Sequence, residues 1–356
     1  MTLYAPVTSQ LQRILNAATS QATPTLRVYP RPFGHYQTNQ LYDVWANGRH
    51  LIAKQFLRPD ELTIAPACEF GALQRLAHLD LAPQPLFYDP ALGPVVVYVF
   101  LEGDAWPQRR PSAEQLRQLA DLWLQVHDLP PDGLWLSRDQ KQSAGELARQ
   151  IQTWLRNYAV WAEANFVTAV PLARRCLNLL DQRQPLFDEL DQQPVMLRFC
   201  RSDARFANFI QRPDGPVAMV DWEDSGLRDP AREVADLLTH ANQEDLLDEV
   251  AWRPFLEHYT PALQATDPWF ERRLHAYRAI FPLVWLAMLL NAGAQKAQTG
   301  GLAHWLINDM AANERLRRYL ARALTWPDTD FDLQLAELED SLFFPTTRLE
   351  AIEPAR

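Results

Sequence analysis

Short runs of apolar and β-branched residues, bounded by turn residues, characterise the first hundred positions. Such runs at residues 26–29, 41–45, 50–56 and 95–101 are typical of β-strands, and Asn47-Gly48 is a strong signal for a tight hairpin between the second and third. Helical spacing predicts a leading helix over residues 7–19 and another over 65–79. The chain is therefore expected to begin with a small antiparallel sheet accompanied by helices.

Beyond Gly103 the apolar residues recur every three or four positions, which predicts helices. We expect these over residues 112–127, 143–166, 169–182 or further (with a candidate break at 183–185) and 229–242. The last third is expected to be helical at 244–260, 266–297, 301–324 and 330–342. Most aromatic residues of these last helices have the spacing of a core, although some could face a ligand. The pattern predicts an α+β protein with its boundary near Gly103.

Polar residues with a distinctive spacing occupy residues 200–224. Asp203 and Asn208 stand five apart on a loop that leads into apolar residues, and Asp221 follows the apolar run 217–220. A turn at residues 212–215 separates the two runs, so both should form one small β-ribbon. Phosphoryl transfer uses a carboxylate to orient the attacking hydroxyl and oxygen ligands to hold Mg²⁺. The ribbon would supply both.

These motifs resemble the aminoglycoside phosphotransferase and choline kinase-like family. The family pattern reads roughly H-G-D-x-x-x-x-N, I-D-W-E and G-D-P-x-x-D-L-A, and this chain has Asp203 to Asn208, then Val220-Asp-Trp-Glu, then Asp229-Pro-Ala-Arg-Glu-Val-Ala-Asp236. The resemblance covers residues 30–242. It implies a two-lobed protein kinase-like fold, with a small antiparallel sheet in residues 1–102 and a large, mostly helical lobe in 103–356. Arg201 stands where the family has His, and we expect the loop to tolerate this change.

The resemblance also implies roles for individual residues. Asp203 would be catalytic, Asn208 and Asp221 would hold Mg²⁺, and Asp229 and Asp236 would support the catalytic loop. Lys54, positioned by Glu69 from the next helix, would neutralise the α- and β-phosphates of ATP. The complete nucleotide-binding set, which includes a phosphate-covering turn and backbone groups for adenine, is Gly34, Thr38, Asn39, Lys54, Glu69, Tyr98, Val99, Phe100 and Leu101.

Several of these residues have plainer interpretations. An isolated strand lysine such as Lys54 is usually solvated, but the preceding turn and the helix carrying Glu69 favour the phosphate role. Glu223 and Asp224 could bind an amine or a second metal, although we favour solvated carboxylates. His127, alone at a helix end, is expected to be structural.

Composition limits the classes of partner. The 356 residues are 47% hydrophobic and 22% charged, as in ordinary globular proteins, and the net charge of −10 disfavours nucleic acid and anionic membranes. Three separated cysteines without a CxxC motif predict free buried thiols. We find neither a leader pattern nor a stretch approaching the roughly 20 apolar residues of a membrane span. A cytoplasmic protein is expected, and its oligomeric state stays open.

The sequence therefore predicts an ATP- and Mg²⁺-dependent phosphotransferase that moves the γ-phosphoryl group to a hydroxyl of a small molecule. Aminoglycosides, choline, ethanolamine, sugars and homoserine all remain candidate acceptors. The alternative is a pseudokinase-like nucleotide-binding or scaffold protein, because Arg201 replaces His and the phosphate loop has few glycines. Retention of the complete set of polar residues favours the enzyme. A protein kinase is disfavoured, since only a short stretch separates Asp221 from Asp229.

Overall fold

A computed structural model describes residues 9–18, 26–33, 38–106, 110–136, 143–165, 170–213, 215–240, 243, 246–248, 250–298 and 319. The chain divides into two compact units. The first comprises Met1–Gln140 with Met196–Pro268, and the second comprises Lys141–Val195 with Trp269–Arg356. The lobe boundary at residues 102/103 stays a prediction. All of the described residues that are discussed below as a site belong to the first unit.

The first unit begins with the predicted helix and sheet. Helix α1 (Ser9–Ala18) precedes β1 (Leu26–Pro30), β2 (Asn39–Ala46), β3 (Arg49–Phe56), β4 (Pro85–Phe87) and β5 (Val95–Val99). The strands form an antiparallel sheet in the order β1-β2-β3-β5-β4. Asn47 and Gly48 have φ values of +52° and +78°, the left-handed conformation that a type I′ hairpin requires. Leu11, Ile14 and Leu15 of α1 are buried in the core of this sheet.

The rest of the unit carries helices and two small sheets. Helices α2 (Ile64–Leu76), α3 (Ala113–His127), α6 (Pro230–Thr239) and α7 (Arg253–Gln264) accompany β6 (Asp104–Ala105), β7 (Arg198–Cys200), β8 (Phe209–Gln211), β9 (Val217–Met219) and β10 (Gly226–Arg228). Strands β6, β8 and β9 form one sheet, and β7 pairs with β10. Ser112 closes a capping box at α3. Helix α7 begins later than predicted, with a proline in its first turn, where proline is favoured.

Aromatic side chains fill the core below the loop that joins β7 to β8. Neighbouring rings lie 5.2–6.4 Å apart, from the β8 end of the loop across α3 to α7. Their members are Trp106, Trp123, His127, Phe206, Phe209, Trp252, Phe255 and Tyr259, all of which are buried. Trp252 and Tyr259, which could have faced a ligand, therefore belong to the core.

The second unit contains three described helices: α4 (Ala144–Asn165), α5 (Val170–Asp191) and α8 (Phe270–Gln298). Helix α5 continues through Pro185, so the predicted break there is wrong. Proline removes one backbone hydrogen bond, but α5 buries Leu179 and Leu180 before it and Phe187 and Leu190 after it. That burial outweighs the local cost. Of the helices predicted at 301–324 and 330–342, the structure describes Tyr319 alone, which is helical and buried, and the rest lies outside the described residues.

One described segment, Phe270–Ala292 of α8, is long and apolar enough to cross a membrane by length and composition alone. The expectation that no stretch approaches this length is therefore wrong. The core helix of a globular protein passes the same test, and 67% of the segment is buried inside the protein. We therefore interpret α8 as a core helix.

Candidate active site

The predicted Asp203, Asn208 and Asp221 lie together. Asn208 sits in a short 3₁₀ turn after β7, and its amide Nδ2 donates to Asp203 Oδ2 at 3.0 Å. Asp221 follows β9, and the preceding Val220 N–H donates to the Asn208 carbonyl at 3.0 Å. Pairing of β8 with β9 therefore brings Asp221 beside the loop, although Asp203 and Asp221 are far apart in sequence.

The backbone of this loop is held by a buried carboxylate. Glu233 Oε1 accepts hydrogen bonds from the N–H groups of Arg201 (2.6 Å) and Ser202 (2.7 Å), the latter in a left-handed conformation. Its Oε2 lies 2.8 Å from His127 Nε2, and His127 Nδ1 lies 2.6 Å from the Tyr259 hydroxyl. His127 is structural, as predicted. Glu233 was missed, although it occupies the second acidic position of the D-P-x-x-D pattern.

Gln243 holds the other end of the loop. Its Oε1 accepts from the Phe206 N–H at 2.8 Å, and its Nε2 donates to the carbonyls of Ala204 (2.9 Å) and Leu237 (2.7 Å). No local pattern in the sequence indicates this role. Together, Glu233 and Gln243 fix both sides of Asp203.

Lys54 of β3 is only 3% exposed and is surrounded by carboxylates. Its Nζ lies 3.0 Å from Glu69 Oε2, 2.5 Å from Asp221 Oδ1 and 2.8 Å from Glu223 Oε2. Burial alone would lower the pKa of Lys54, but the three carboxylates outweigh it and raise the pKa well above its ordinary value. Glu69 also accepts the Trp222 N–H at 2.8 Å, which ties α2 to the Asp-Trp-Glu segment.

Glu223 is a partly buried member of this cluster. Its side chain is 13% exposed, contacts Lys54, and accepts a hydrogen bond from Asn39 Nδ2 at 2.5 Å. The favoured interpretation of Glu223 as a solvated carboxylate is therefore wrong, because β2 and β3 cover it. Burial, together with Asp221 and Glu69, raises the pKa of Glu223 to about 7, against the opposing effect of Lys54.

Two arginines face the aspartates from the other side. Arg205 donates from Nε to Asp203 Oδ2 at 2.9 Å and from Nη2 to Asp221 Oδ2 at 3.4 Å. Arg201 is fully buried, with Nε bonded to the Val220 carbonyl at 2.8 Å. Its Nη2 lies 3.7 Å from Asp203 and 3.9 Å from Asp221. Burial would raise the pKa of Asp221, but Lys54 and both arginines hold it well below its ordinary value.

A cavity of about 480 Å³ lies between the five-stranded sheet and the β8–β9 ribbon, within the usual size range of small-molecule sites. Its lining combines apolar side chains with the charged side chains of Lys54, Arg205 and Asp221. The predicted residues that line it are Thr38, Asn39, Lys54, Tyr98, Phe100, Leu101, Asn208 and Asp221. Asp203 adjoins it through its hydrogen bonds to Arg205 and Asn208.

Some predicted nucleotide-binding residues lie elsewhere. Gly34 falls outside the described residues. Val99 does not line the cavity and packs against the core of the sheet. The Val99 N–H donates to the Gln84 carbonyl at 2.9 Å and the Phe100 N–H to the His50 carbonyl at 3.0 Å. These two N–H groups are therefore not available to a base, and the adenine role stays a prediction.

The donor set fits Mg²⁺, which prefers carboxylate and amide oxygens. Asp221 and Asn208 line the same cavity, and the depressed pKa of Asp221 keeps its carboxylate ionised. Glu69, Asp221 and Glu223 also offer oxygens within 4.8 Å of one another. The Lys54 ammonium contacts all three, so the oxygen of Asp221 away from Lys54 is the better cation ligand.

Asp229 and Asp236, both expected to support the loop, differ in environment. Asp229 is the N-cap of α6 and accepts the Ala231 N–H at 2.9 Å. Burial and the nearby Asp203 raise the pKa of Asp236 to about 7. The Oδ1 atom of Asp236 has no hydrogen-bond partner among the described residues. Asp236 therefore does not tie the loop through Oδ1.

Comparison with known proteins identifies the family. The model of the phosphotransferase enzyme family matches residues 30–277, which is more than half of the chain. The chain belongs to this family. A search for related curated proteins by sequence gave no match.

Solved structures of kinases have similar folds. Choline kinase LicA from Streptococcus pneumoniae is 18% identical with a TM-score of 0.57, and the match covers 89% of this chain and 100% of that chain. Spectinomycin phosphotransferase, solved with ADP and spectinomycin, is 13% identical with a TM-score of 0.54, over 95% and 100%. A streptomycin–ATP–phosphotransferase complex is 13% identical with a TM-score of 0.56, over 85% and 99%. The predicted kinase-like α+β fold class is confirmed.

Proposed function

We propose that the protein transfers the γ-phosphoryl group of Mg-ATP to a hydroxyl group of a small molecule in the cytoplasm. The observation that carries this proposal is the convergence of Lys54, Asn208, Asp221 and Asp203 at one cavity. Bound ADP and ATP in related folds support the choice of nucleotide. Three free, buried cysteines are compatible with a reducing compartment.

In the proposed reaction, the acceptor oxygen forms a bond to the γ-phosphorus while the bond from that phosphorus to the β,γ-bridging oxygen breaks. Asp203 orients the acceptor hydroxyl and takes its proton, and ADP leaves with the electron pair of the broken bond. The hydrogen bond from Asn208 and the fixed loop backbone hold the Asp203 carboxylate in place. Catalysis of this kind depends mainly on positioning and charge stabilisation.

Charge on the nucleotide is met by Lys54 and by the cation ligands. Lys54 is already fixed by Glu69, so it can offer its ammonium to the α- and β-phosphates while Glu69 stays in place. Asn208 and Asp221 would hold Mg²⁺, which when bound neutralises phosphate charge. Apolar side chains Leu41 and Ile52 line the same cavity and suit a purine base.

Isothermal titration calorimetry with ATP, with and without Mg²⁺, tests nucleotide use in the wild type and Asp221→Asn. We expect Mg²⁺ to tighten ATP binding in the wild type. In Asp221→Asn, most of this gain in affinity should be lost. Phosphoryl transfer is then tested by measuring ADP formation and by detecting the phosphorylated acceptor with mass spectrometry. The acceptors are choline, ethanolamine, aminoglycosides, sugars and homoserine. Asp203→Asn should bind ATP as tightly as the wild type and lose roughly 10³-fold or more in turnover.

The matched control is Asp80→Asn, because Asp80 is exposed and pairs with Arg212 outside the cavity. Asp80 has a φ of +57°, a conformation that Asn also adopts readily. This variant should bind and turn over like the wild type. Transfer by Asp203→Asn at the wild-type rate would contradict the role of Asp203. ATP binding that is indifferent to Mg²⁺, with no transfer to any acceptor, would favour the nucleotide-binding scaffold instead.

A further inference from the structure

Arg205 is a cationic side chain of the cavity that contacts both Asp203 and Asp221. Its side chain is 35% exposed and lines the cavity. Nε contacts Asp203 Oδ2 and Nη2 contacts Asp221 Oδ2, so the guanidinium spans the gap between the two carboxylates. The other two described lining cations do not span these two aspartates. Arg31 is paired with Asp43 through two hydrogen bonds, and Lys54 is enclosed by three carboxylates.

The gap that Arg205 spans is where the transferred group has to pass. In the proposed reaction, Asp203 needs a free oxygen for the acceptor hydroxyl, and Asp221 needs its outer oxygen for a cation. Arg205 at present contacts Oδ2 of each carboxylate, and Oδ1 of Asp203 lies 3.8 Å from His240 Nε2. A cation bound at Oδ2 of Asp221 would therefore displace the guanidinium from that oxygen, and in the proposed reaction the phosphoryl group would arrive between the two aspartates. A guanidinium fork matches phosphate oxygens in charge and geometry.

Arg201 allows this exchange without leaving the aspartates uncompensated. It is fully buried, and its two terminal nitrogens have no hydrogen-bond partner among the described residues. Nη2 lies within 4 Å of both carboxylates and is fixed there by the bond from Nε to the Val220 carbonyl. A buried charge that stays in place can balance Asp203 and Asp221 when the more exposed Arg205 moves.

We propose that Arg205 binds the γ-phosphoryl group of the nucleotide and stabilises it during transfer, while Arg201 acts as a positioning residue for the two aspartates. This inference rests on the proposed function. Arg205 exchanges no proton and forms no covalent bond, since its contribution is positive charge beside the phosphorus. Arginines that approach a transferring phosphoryl group raise turnover about 10³- to 10⁵-fold in P-loop GTPases.

The test compares ATP with ADP, because only ATP carries the γ-phosphate. Affinities are measured by calorimetry, in Mg²⁺ and again in EDTA, for the wild type, Arg205→Gln, Arg205→Lys and the control Arg212→Gln. Arg212 is on the same ribbon and pairs with Asp80. We expect Arg205→Gln to weaken ATP binding about tenfold or more and ADP binding by less than about threefold. Turnover should fall about 10³-fold, with Arg205→Lys intermediate and Arg212→Gln unchanged.

A purely structural or long-range electrostatic role gives a different result. Equal weakening of ATP and ADP binding by Arg205→Gln, or no weakening of either, would overturn the inference. Thermal unfolding of each variant checks that the fold is retained, and the charge-preserving Arg205→Lys separates loss of charge from loss of structure. If the wild type transfers phosphate and Arg205→Gln weakens ATP binding no more than ADP binding, this inference alone fails. If the wild type binds no ATP, the proposed function fails with it.

Discussion

Replacement of Glu233 tests how the loop that carries Asp203 is held. The side chain is fully buried and accepts two short hydrogen bonds from consecutive backbone N–H groups, those of Arg201 and Ser202. Glu233→Ala removes the carboxylate that accepts from both N–H groups and also removes the partner of His127 Nε2. Ser202 has a φ of +76°, a backbone conformation that is energetically unfavourable for residues other than glycine. The loop would therefore relax when its acceptor is removed.

The expected loss follows from the contacts. A hydrogen bond to a charged group contributes about 1.5–3 kcal/mol, so loss of two predicts that Glu233→Ala lowers the free energy of unfolding by at least about 3 kcal/mol. Domains of ordinary stability have about 5–15 kcal/mol in total, so the variant should be markedly weakened. Glu233→Gln keeps an acceptor oxygen and should lose roughly half as much, because neutral acceptors form weaker bonds.

Urea-induced unfolding followed by tryptophan fluorescence measures these differences, and ADP formation reports whether the loop still works. Glu114→Ala is the matched control. Glu114 is an exposed carboxylate paired with Arg117 on the surface of α3, and its removal should change the free energy by less than about 0.5 kcal/mol. The reasoning is refuted if Glu233→Ala costs less than 1 kcal/mol more than Glu114→Ala, or if it turns over like the wild type.

Two further changes test burial and backbone geometry. Because burial and Asp203 raise the pKa of Asp236 from 3.8 to about 7, its contribution to stability is fully present below about pH 4 and is lost as the pH rises through 7. Asp236→Asn should therefore stabilise the protein at pH 8 and not at pH 4, and equal effects in urea unfolding at both values would contradict this. Gly103→Ala should cost about 2 kcal/mol or more by urea unfolding, because φ is +146° and the new Cβ would meet the Gln211 carbonyl. Gly48 has a φ of +78° with open space around it, so Gly48→Ala should lower the free energy of unfolding by only about 1 kcal/mol. A similar decrease for Gly103→Ala and Gly48→Ala would argue against a clash at Gly103.

Features set by neighbouring residues were predictable. Asn47-Gly48 formed the expected hairpin, Ser112 capped α3, and Asp229-Pro230 began α6. These outcomes follow from local conformational preferences and from hydrogen bonds within a few residues. The fold class was also accessible, because the family motifs cover much of the chain. Pro185 shows the limit of local rules, since burial on both sides of it carried α5 through a residue that usually ends a helix.

The candidate site divides in the same way. The contact between Asp203 and Asn208 was predictable, because the two residues stand five apart on one loop. The contact of Lys54 with Glu223 joins strand β3 to a loop far along the chain, and no periodicity predicts such a contact. The interpretation of Glu223 as solvated failed for that reason.

The sequence by itself determined which chemical groups are present, their order on the ribbon, and the local elements that display them. Only the tertiary structure decided what surrounds each group. Glu233 and Gln243 hold the loop from more than 30 residues away, and Arg201 and Arg205 lie against the two aspartates. The burial of a charged side chain, and the electrostatic energy of its charge, depend on all of the groups around it. Charge balance in this site is therefore a property of the folded chain.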